Sequence, residues 1–405
     1  MMETSMLAFA SDLHDEGVGT VLDNVQNRAG VNGLTMAVAY HDARDVFPHN
    51  PVRKVRYLEG GAVFFPPDVA RYGDLHPRVS ELARSGDPLG ELCEAAGQRG
   101  MHVNAWAVFL HSDRLGFSYP ECATQNAFGD RYLTDLCPSN PDVRTYARTL
   151  ASDISRYDVS TILSESLHFH GLRHGYHHER YFEEFGAVGL YLLGLCFCEH
   201  CLEAARRRGV DAGMVHRLVR DELERRFSGG SSEDLEELRR EDLEPFGGEE
   251  MLGYLDTRTE TVTSLVGEVA TAASGGGAGF AVLDLCGAEK GFATGHPEGE
   301  AAPTLGWQMG IDHVELAGVC DSVAATGYAA DPGRLNLDLD AYQTLVPDAS
   351  LLGLVLRPMP PDCRSADNLA AKVALARERG LGRLDFYHYG FCRLQALDWI
   401  QHALA

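Results

Sequence analysis

The stretch "LSESLHFHGLRHGYHHER" (residues 163–180) concentrates side chains that could do chemistry. It begins as an apolar strand that delivers the carboxylate of Glu165. A carboxylate inside an apolar strand is costly unless it is paired or functional, and burial raises its pKa towards the value that a general acid needs near neutral pH. The sequence therefore predicts Glu165 as a catalytic general acid. The histidines that follow it are His168, His170, His174, His177 and His178.

These histidines allow two interpretations. If the segment opens a helix, His174, His177 and His178 stand at i, i+3 and i+4 on one face, and could ligate a divalent metal with Glu165 or Glu179. The segment has no H-E-x-x-H pattern, however, and its two glycines favour a shaped loop. Neutral histidines in such a loop can bind sugar hydroxyls. We therefore expect ligand binding by the five histidines, with a catalytic metal as the alternative.

A second cluster is the C-x-C-x-x-C of "CFCEHC", which contains Cys196, Cys198 and Cys201. Three neighbouring thiolates can hold zinc if a fourth ligand comes from elsewhere, and Cys137 or a histidine could supply it. The alternative is that reduced cysteines pack at the start of a helix. A thiolate-rich closed set predicts a structural zinc rather than a catalytic one.

The elements that must position these residues are eight apolar runs alternating with segments of helical periodicity. Continuous apolar runs are typical of parallel strands buried on both faces, and their alternation with helices predicts a (β/α)8 barrel, a single domain over residues 1–405. A doubly wound sheet is the alternative, but no G-x-G-x-x-G motif follows the first predicted strand. A mostly helical insertion, residues 166–277, separates the fourth and fifth predicted strands. The strands are predicted within residues 33–45, 60–68, 101–113, 159–169, 275–287, 320–331, 350–362 and 383–391.

Active sites of such barrels lie at the C-terminal ends of the strands, where this sequence places carboxylates, aromatic rings and hydrogen-bonding side chains. That combination suits a polyhydroxylated ligand. A glycosidase needs a second carboxylate, about 5–5.5 Å away to act as nucleophile or about 6.5–9.5 Å away to activate water. We expect Asp284 to be this catalytic partner, with Asp331 and Asp42 as alternatives. The other predicted substrate-binding residues are His41, Asp42, Trp106, His111, Tyr328, Asp331, Arg357, Tyr387 and His388.

Composition narrows the partners. The formal net charge of −24 argues against nucleic acid and anionic membranes, which bind basic patches. The N-terminal residues lack the basic and apolar regions of a signal peptide, and the ten cysteines show no disulfide-framework spacing. We therefore expect a cytoplasmic protein with a carbohydrate or glycoside substrate and no cofactor required for catalysis. Homo-oligomerisation stays open.

The fourth-strand carboxylate followed by "LCFCEHC" resembles uncharacterised glycoside-hydrolase-like (β/α)8 proteins of bacteria, many of which carry a C-x-C-x-x-C element after strand four. The stretches "HNPVRKVRYLEGGAVFFPPDVARYG", "NAWAVFLHSDRLG" and "LCPSNPDVRTYARTLASDI" are similar to the same group. The resemblance spans most of the first 210 residues, and the rest matches only in barrel pattern.

A more distant resemblance to clan A glycosidases implies an acid/base Glu at the end of strand four, the position of Glu165. It also implies a nucleophilic Glu at the end of strand seven, but here that strand ends "VLRPMPPD", without a Glu. This departure leaves an inverting mechanism, a nucleophile from another strand such as Asp284, or loss of hydrolytic activity.

The leading hypothesis is a glycosidase that uses carboxylate acid/base catalysis. The alternatives are a metal-dependent sugar isomerase, epimerase or lyase that uses the histidines, and a non-catalytic sugar-binding barrel.

Overall fold

The structure, a computed structural model, describes residues 2–172, 180, 182, 184–230, 235 and 237–405. Its centre is a closed barrel of eight parallel strands in which each strand pairs with the next, and the first pairs with both the second and the last. The predicted (β/α)8 barrel is confirmed. The strands are β1 (Glu3–Phe9), β2 (Gly33–Tyr40), β3 (His102–Val108), β4 (Thr161–Glu165), β5 (Gly279–Asp284), β6 (Ser322–Thr326), β7 (Leu352–Leu356) and β8 (Arg383–Phe386).

The first two barrel strands differ from the predicted ones. β1 was missed, although it is buried from Ser5 onward and closes the barrel through the partners Met6↔Leu34 and Met6↔Phe386. The run predicted as the second strand, residues 60–68, contributes only Ala62–Val63, which pairs antiparallel with the end of β2. An apolar run indicates that a segment is buried, but not that it forms a barrel strand. The prolines that follow Phe65 end the strand pairing of this segment. One barrel strand was missed and one run was wrongly predicted as a barrel strand, so the predicted number of eight strands is still correct.

Helices occupy the outer layer. The start of one of them is set by its local sequence: the side chain of Asn140 accepts hydrogen bonds from two backbone amides, with Pro141 at the first helical position. The helices are α1 (Ala10–Glu16), α2 (Val18–Asp23), α3 (Glu81–Ser85), α4 (Pro88–Gly97), α5 (Asp113–Ser118), α6 (Pro141–Ile154), α7 (Gly186–Gly194), α8 (Glu199–Arg207), α9 (Ala212–Phe227), α10 (Glu249–Ser274), α11 (Cys286–Gly291), α12 (Gly306–Met309), α13 (His313–Ala317), α14 (Pro332–Leu345), α15 (Ala366–Glu378) and α16 (Gln395–Leu404).

The predicted helical insertion between β4 and β5 contains α7 to α10. Its apolar side chains, such as Leu192, Val219 and Met251, form a cluster of their own beside the barrel core. α10 also lies against α6, where the Arg144 guanidinium donates to the Thr261 carbonyl and to Glu268 Oε1, at 3.2 and 2.7 Å. The long helix therefore links the insertion to the barrel wall.

In the described part of the chain, no helix is long and apolar enough to span a membrane by itself. Only α7 and α8 taken together, with a 96° bend at their junction, meet the criteria of length and composition.

Candidate active site

A cavity of about 610 Å³ opens at the C-terminal ends of the barrel strands. Its wall combines aromatic rings, carboxylates and one arginine, which is the composition expected for a sugar site. The lining residues are Tyr40, His41, Asp42, Ala43, Asp45, Trp106, His111, Glu165, Leu283, Leu285, Ala288, Glu289, Phe292, Tyr328, Val355, Arg357, Met359, Pro360, Tyr387 and Phe391.

Glu165 is the last residue of β4, and its half-buried side chain enters this cavity. The indole Nε1–H of Trp106, on the neighbouring strand β3, donates to Glu165 Oε2 at 2.7 Å. Because an indole N–H can only donate, Oε2 is an acceptor, and a proton on this carboxyl group would sit on Oε1. The next residue, Ser166, has a φ of 58°, so the chain turns away immediately after delivering the carboxylate. The carboxylate is thereby positioned by the strand that carries it and by the indole of the neighbouring strand.

Tyrosine rings form one wall around Glu165. Tyr40 contacts Trp106 edge to face at a centroid distance of 4.7 Å, and Tyr387 lies 5.8 Å from the same indole. Burial raises the pKa of both tyrosines, and the nearby carboxylates of Glu165 and Asp45 raise them further. Both hydroxyls therefore stay protonated, and because they are hydrogen-bonded to each other, one of the two protons is available to a ligand.

Asp45 is a further carboxylate of the cavity, beside Asp42 and Glu289, and it was not predicted from the sequence. It lies in a hairpin, Ala43–Val46 paired with Val55–Leu58, that follows β2. Ala43 and Asp45 both line the cavity, as the two-residue period of a strand requires. Burial raises the pKa of Asp45 to about 6. The alternation of side chains in "HDARD" could have indicated a further short strand that carries Asp45. This segment was instead interpreted as the polar end of β2.

Arg357 forms a charged part of the opposite wall. Asp362 accepts from its Nε and Nη2 at 2.5 and 2.7 Å, and its guanidinium carbon lies 4.0 Å from the ring centroid of Tyr328. This bidentate pair and the stacked ring hold the guanidinium in one position. Arg357 is thus a fixed cation next to a ring that could stack on a sugar.

Seven of the fourteen residues predicted to bind substrate line this cavity, and the other seven either have other surroundings or lie outside the described residues. His388 is fully buried against Phe9, with ring centroids 4.2 Å apart. Asp331 is exposed and caps α14 by accepting from the Gly333 amide. His168 is buried, and its Nδ1 pairs with the Phe169 carbonyl at 3.0 Å. Among the remaining histidines, His170 lines a second cavity, and His174, His177 and His178 lie outside the described residues.

Asp284 does not reach the cavity. The alternation of β5 turns Leu283 towards the cavity and Asp284 towards the helices, where it is completely buried. There Oδ2 pairs with His313 Nε2 at 2.7 Å and accepts from the Tyr342 hydroxyl at 2.5 Å, and Oδ1 accepts from the Cys286 amide at 2.9 Å. These partners, the His313 charge foremost, outweigh burial and hold the pKa of this carboxyl well below its usual range. The placement is that of a structural carboxylate, not of the predicted catalytic partner.

The substitution Asp284→Asn separates these two roles. We expect a loss of about 3–5 kcal/mol in the free energy of unfolding, because the change removes the charge that balances His313 in a buried pair. The turnover of the folded fraction should stay unchanged. Urea unfolding, combined with rates normalised to folded protein, measures both quantities. A stable variant with greatly reduced turnover would restore Asp284 as a catalytic candidate.

A smaller cavity of about 300 Å³ adjoins the first, between the insertion and the loops after β5. Its walls include His170, Leu172, Tyr191 and Met309. Glu289, an exposed residue of α11, lines both cavities. The two cavities are therefore adjacent and share Glu289 in their walls.

The predicted cysteine set is completed by Cys137, which precedes α6. The sulfurs of Cys137, Cys196, Cys198 and Cys201 all lie within 4.8 Å of one another, and all four residues are buried. From Cys137 Sγ the other three sulfurs are 3.5 to 3.8 Å away. Four thiolates around zinc at about 2.3 Å would have sulfurs about 3.8 Å apart. The cluster could thus hold a structural zinc that joins the insertion to the barrel.

Comparison with known sequences gives no assignment: no family model matches the chain, and no curated protein matches it.

Solved structures share its fold. The β-galactosidase from the psychrophilic Marinomonas ef1 superposes with a TM-score of 0.56 at 10% identity, over 99% of this chain and 58% of that one. For α-L-fucosidase isoenzyme 2 of Paenibacillus thiaminolyticus the TM-score is 0.54 at 12% identity, over 100% and 49%. The catalytic domain of β-amylase from Paenibacillus polymyxa gives 0.54 at 10%, over 98% and 94%.

This chain therefore spans about half of the fucosidase chain and somewhat more of the galactosidase chain. At these identities the likeness concerns the fold, and the chain has the (β/α)8 barrel fold of these glycoside hydrolases.

Proposed function

We propose that this barrel hydrolyses a glycosidic bond, with Glu165 and Asp45 as the two carboxylates. The observation that carries the proposal is the placement of Glu165, which ends β4 inside a cavity of tyrosines and is held by the Trp106 indole at 2.7 Å. Both carboxylates lie close enough to Tyr40 and Tyr387 to affect their pKa values. The barrel fold shared with glycosidases supports the same class of reaction without identifying the substrate.

The two carboxylates differ in what they can do. Glu165 is the proton donor to the leaving oxygen, because its Oε2 accepts from an indole N–H and its proton would sit on Oε1. Asp45 is the base that removes a proton from the attacking water. Its pKa of about 6 makes it more basic than an ordinary aspartate, yet leaves it ionised at neutral pH. One carboxylate as acid and the other as base is the division of roles in an inverting glycosidase.

The other cavity residues bind the sugar. The rings of Tyr328 and Tyr387 offer apolar surface to the C–H groups of a pyranose ring, while their hydroxyls donate to its oxygens. Trp106 is only 1% exposed and acts through its hydrogen bond to Glu165. Arg357, fixed by Asp362, is a cation for ring or hydroxyl oxygens. Such a site holds a neutral or mildly anionic sugar in one orientation.

The test is a panel of aryl glycosides and oligosaccharides incubated with the protein and followed by proton NMR. The anomeric signal of the first-formed product identifies the sugar released and its configuration. Inverted product supports the roles above. If a ligand of the panel binds and no member of the panel gives product after prolonged incubation, the proposal of hydrolysis is wrong and the barrel is a sugar-binding protein.

The pH dependence follows from the role of Asp45. As a base it must be ionised, so kcat/KM should fall as the pH falls through about 6. An ordinary aspartate would place this acidic limb of the pH profile near pH 4. Asp45→Asn should lower kcat/KM by about a hundredfold and abolish the limb, and Asp42→Asn, the cavity neighbour, should keep it. If Asp45→Asn instead abolishes a fall in rate above pH 6, Asp45 is the proton donor and the roles are exchanged.

We also propose that the cysteine cluster binds zinc in a structural role. The sulfur spacing fits a tetrahedral zinc site, the cluster is closed by protein on all sides, and it lies apart from the cavity lining. It brings Cys137, from the segment before α6, against the start of α8 in the insertion. The ion would fix the insertion on the barrel and take no part in the reaction.

A further inference from the structure

A different set of ligand-type side chains meets between the two cavities. Donor atoms of His111, Asp135 and His170 lie within 4.8 Å of one another, and the three residues are only 8%, 3% and 6% exposed. His111 lines the larger cavity and His170 the smaller one. We propose that these three residues bind a divalent transition-metal ion, and that its remaining coordination positions take oxygens of the bound sugar. The proposal does not depend on hydrolysis.

The backbone places two of the ligands before any metal binds. His111 and Asp135 face each other in an isolated antiparallel bridge, and the Ser112 amide donates to the Thr134 carbonyl at 2.8 Å. His111 Nδ1 lies 3.2 Å from Asp135 Oδ1, while the Thr134 hydroxyl donates to the other carboxylate oxygen at 3.1 Å. A second hydrogen bond that orients a ligating carboxylate is what metal sites require. A cation would replace the hydrogen bond between His111 Nδ1 and Asp135 Oδ1.

The third ligand comes from the segment after β4. The Leu110 amide donates to the Ser166 carbonyl at 3.2 Å, and the Phe169 amide donates to the Met309 carbonyl at 3.1 Å, so the backbone leading to His170 is tied on two sides. The ring centroids of His111 and His170 are 5.5 Å apart. Three donors on three tethered segments can therefore close on one ion with small movements of side chains.

The donor types restrict the ion. Two imidazoles and one carboxylate suit Zn²⁺, Co²⁺, Fe²⁺ or Mn²⁺, whereas Mg²⁺ and Ca²⁺ prefer oxygen ligands throughout. Three protein ligands leave at least one position of a four-coordinate ion open, which is the pattern of sites that bind substrate rather than brace a fold. The oxygens of a sugar that spans both cavities are the ligands that this position would meet.

The described residues contain one more group of this kind, Asp284 with Cys286 and His313. There the carboxylate already pairs with His313 and accepts from Tyr342, and none of the three residues lines a described cavity. It is a closed hydrogen-bonded group.

The test uses Co²⁺, added to the protein as purified so that the cysteine cluster keeps any metal it holds. Cobalt bound by thiolates has an intense near-ultraviolet charge-transfer band, whereas cobalt bound by histidine and carboxylate shows only weak visible bands. We expect about one equivalent of the second kind, which is lost in His170→Gln and in Asp135→Asn. It should be kept in His168→Ala, the control for a buried neighbouring histidine. Circular dichroism verifies that each variant is folded. Loss of this cobalt in one folded variant, either His170→Gln or Asp135→Asn, is enough to support the proposal.

An added sugar that the protein binds should change the visible spectrum of this cobalt, because its oxygens would enter the coordination sphere. Wild-type protein that binds no cobalt outside thiolates overturns the proposal. The proposal is also wrong if the cobalt bound outside thiolates remains in both His170→Gln and Asp135→Asn. Loss of glycosidase activity would not affect this result, because the measured quantity is metal binding.

Discussion

Glu165→Gln is expected to lower kcat by about a thousandfold, within the range that general acid catalysis contributes, while glycoside binding changes only a fewfold. Glutamine keeps the shape of the side chain and an oxygen for the Trp106 indole, but it cannot deliver a proton. The loss should depend on the leaving group. A dinitrophenyl glycoside, whose phenolate departs without protonation, should lose far less turnover than an oligosaccharide.

The matched control is Glu289→Gln, the same chemical change at another glutamate that lines the cavity. Because Glu289 lies on α11 at the border of the two cavities, we expect an effect on KM for longer substrates with little effect on kcat. Steady-state kinetics on both substrate types, with binding followed by calorimetry, measures these outcomes. If Glu165→Gln keeps full turnover on a confirmed oligosaccharide, the assignment of Glu165 is wrong.

The second large effect concerns the cysteine cluster. We expect the purified protein to contain about one equivalent of zinc, and Cys198→Ser to lose it together with the order of the insertion. A structural zinc contributes about 10 kcal/mol or more to the folding of small zinc domains. Here the cluster joins Cys137 to the start of α8, so the loss should unfold α7 to α9 before the barrel. Hydrogen exchange resolved by peptide would show rapid exchange in these helices and protection in β1 to β8.

His200→Ala is the control for this variant. His200 lies between Cys198 and Cys201 in the chain, but it does not belong to the four-sulfur cluster. Its substitution should leave zinc content and exchange unchanged. Zinc-free protein with a fully protected insertion would show that the cysteines only pack.

Some features of this protein follow from local sequence. The alternation of apolar runs with helical segments is enough to indicate the barrel, because each strand is buried on both faces and its own sequence is therefore apolar throughout. Glu165 is identified in the same way, as a carboxylate at the end of such a run. The C-x-C-x-x-C is local as well, so three of the four clustered cysteines could be found from spacing alone.

Other features depend on contacts between distant segments, and only the tertiary structure decides them. Asp284 and Glu165 both end apolar strands, but the register of each strand turns Glu165 into the cavity and Asp284 towards His313 and Tyr342. Asp45 reaches the cavity because a hairpin folds back over the barrel end, and Cys137 meets its partners across about sixty residues of chain. A side chain's type shows which chemistry it can do, whereas its orientation and partners arise from long-range packing that no local pattern encodes.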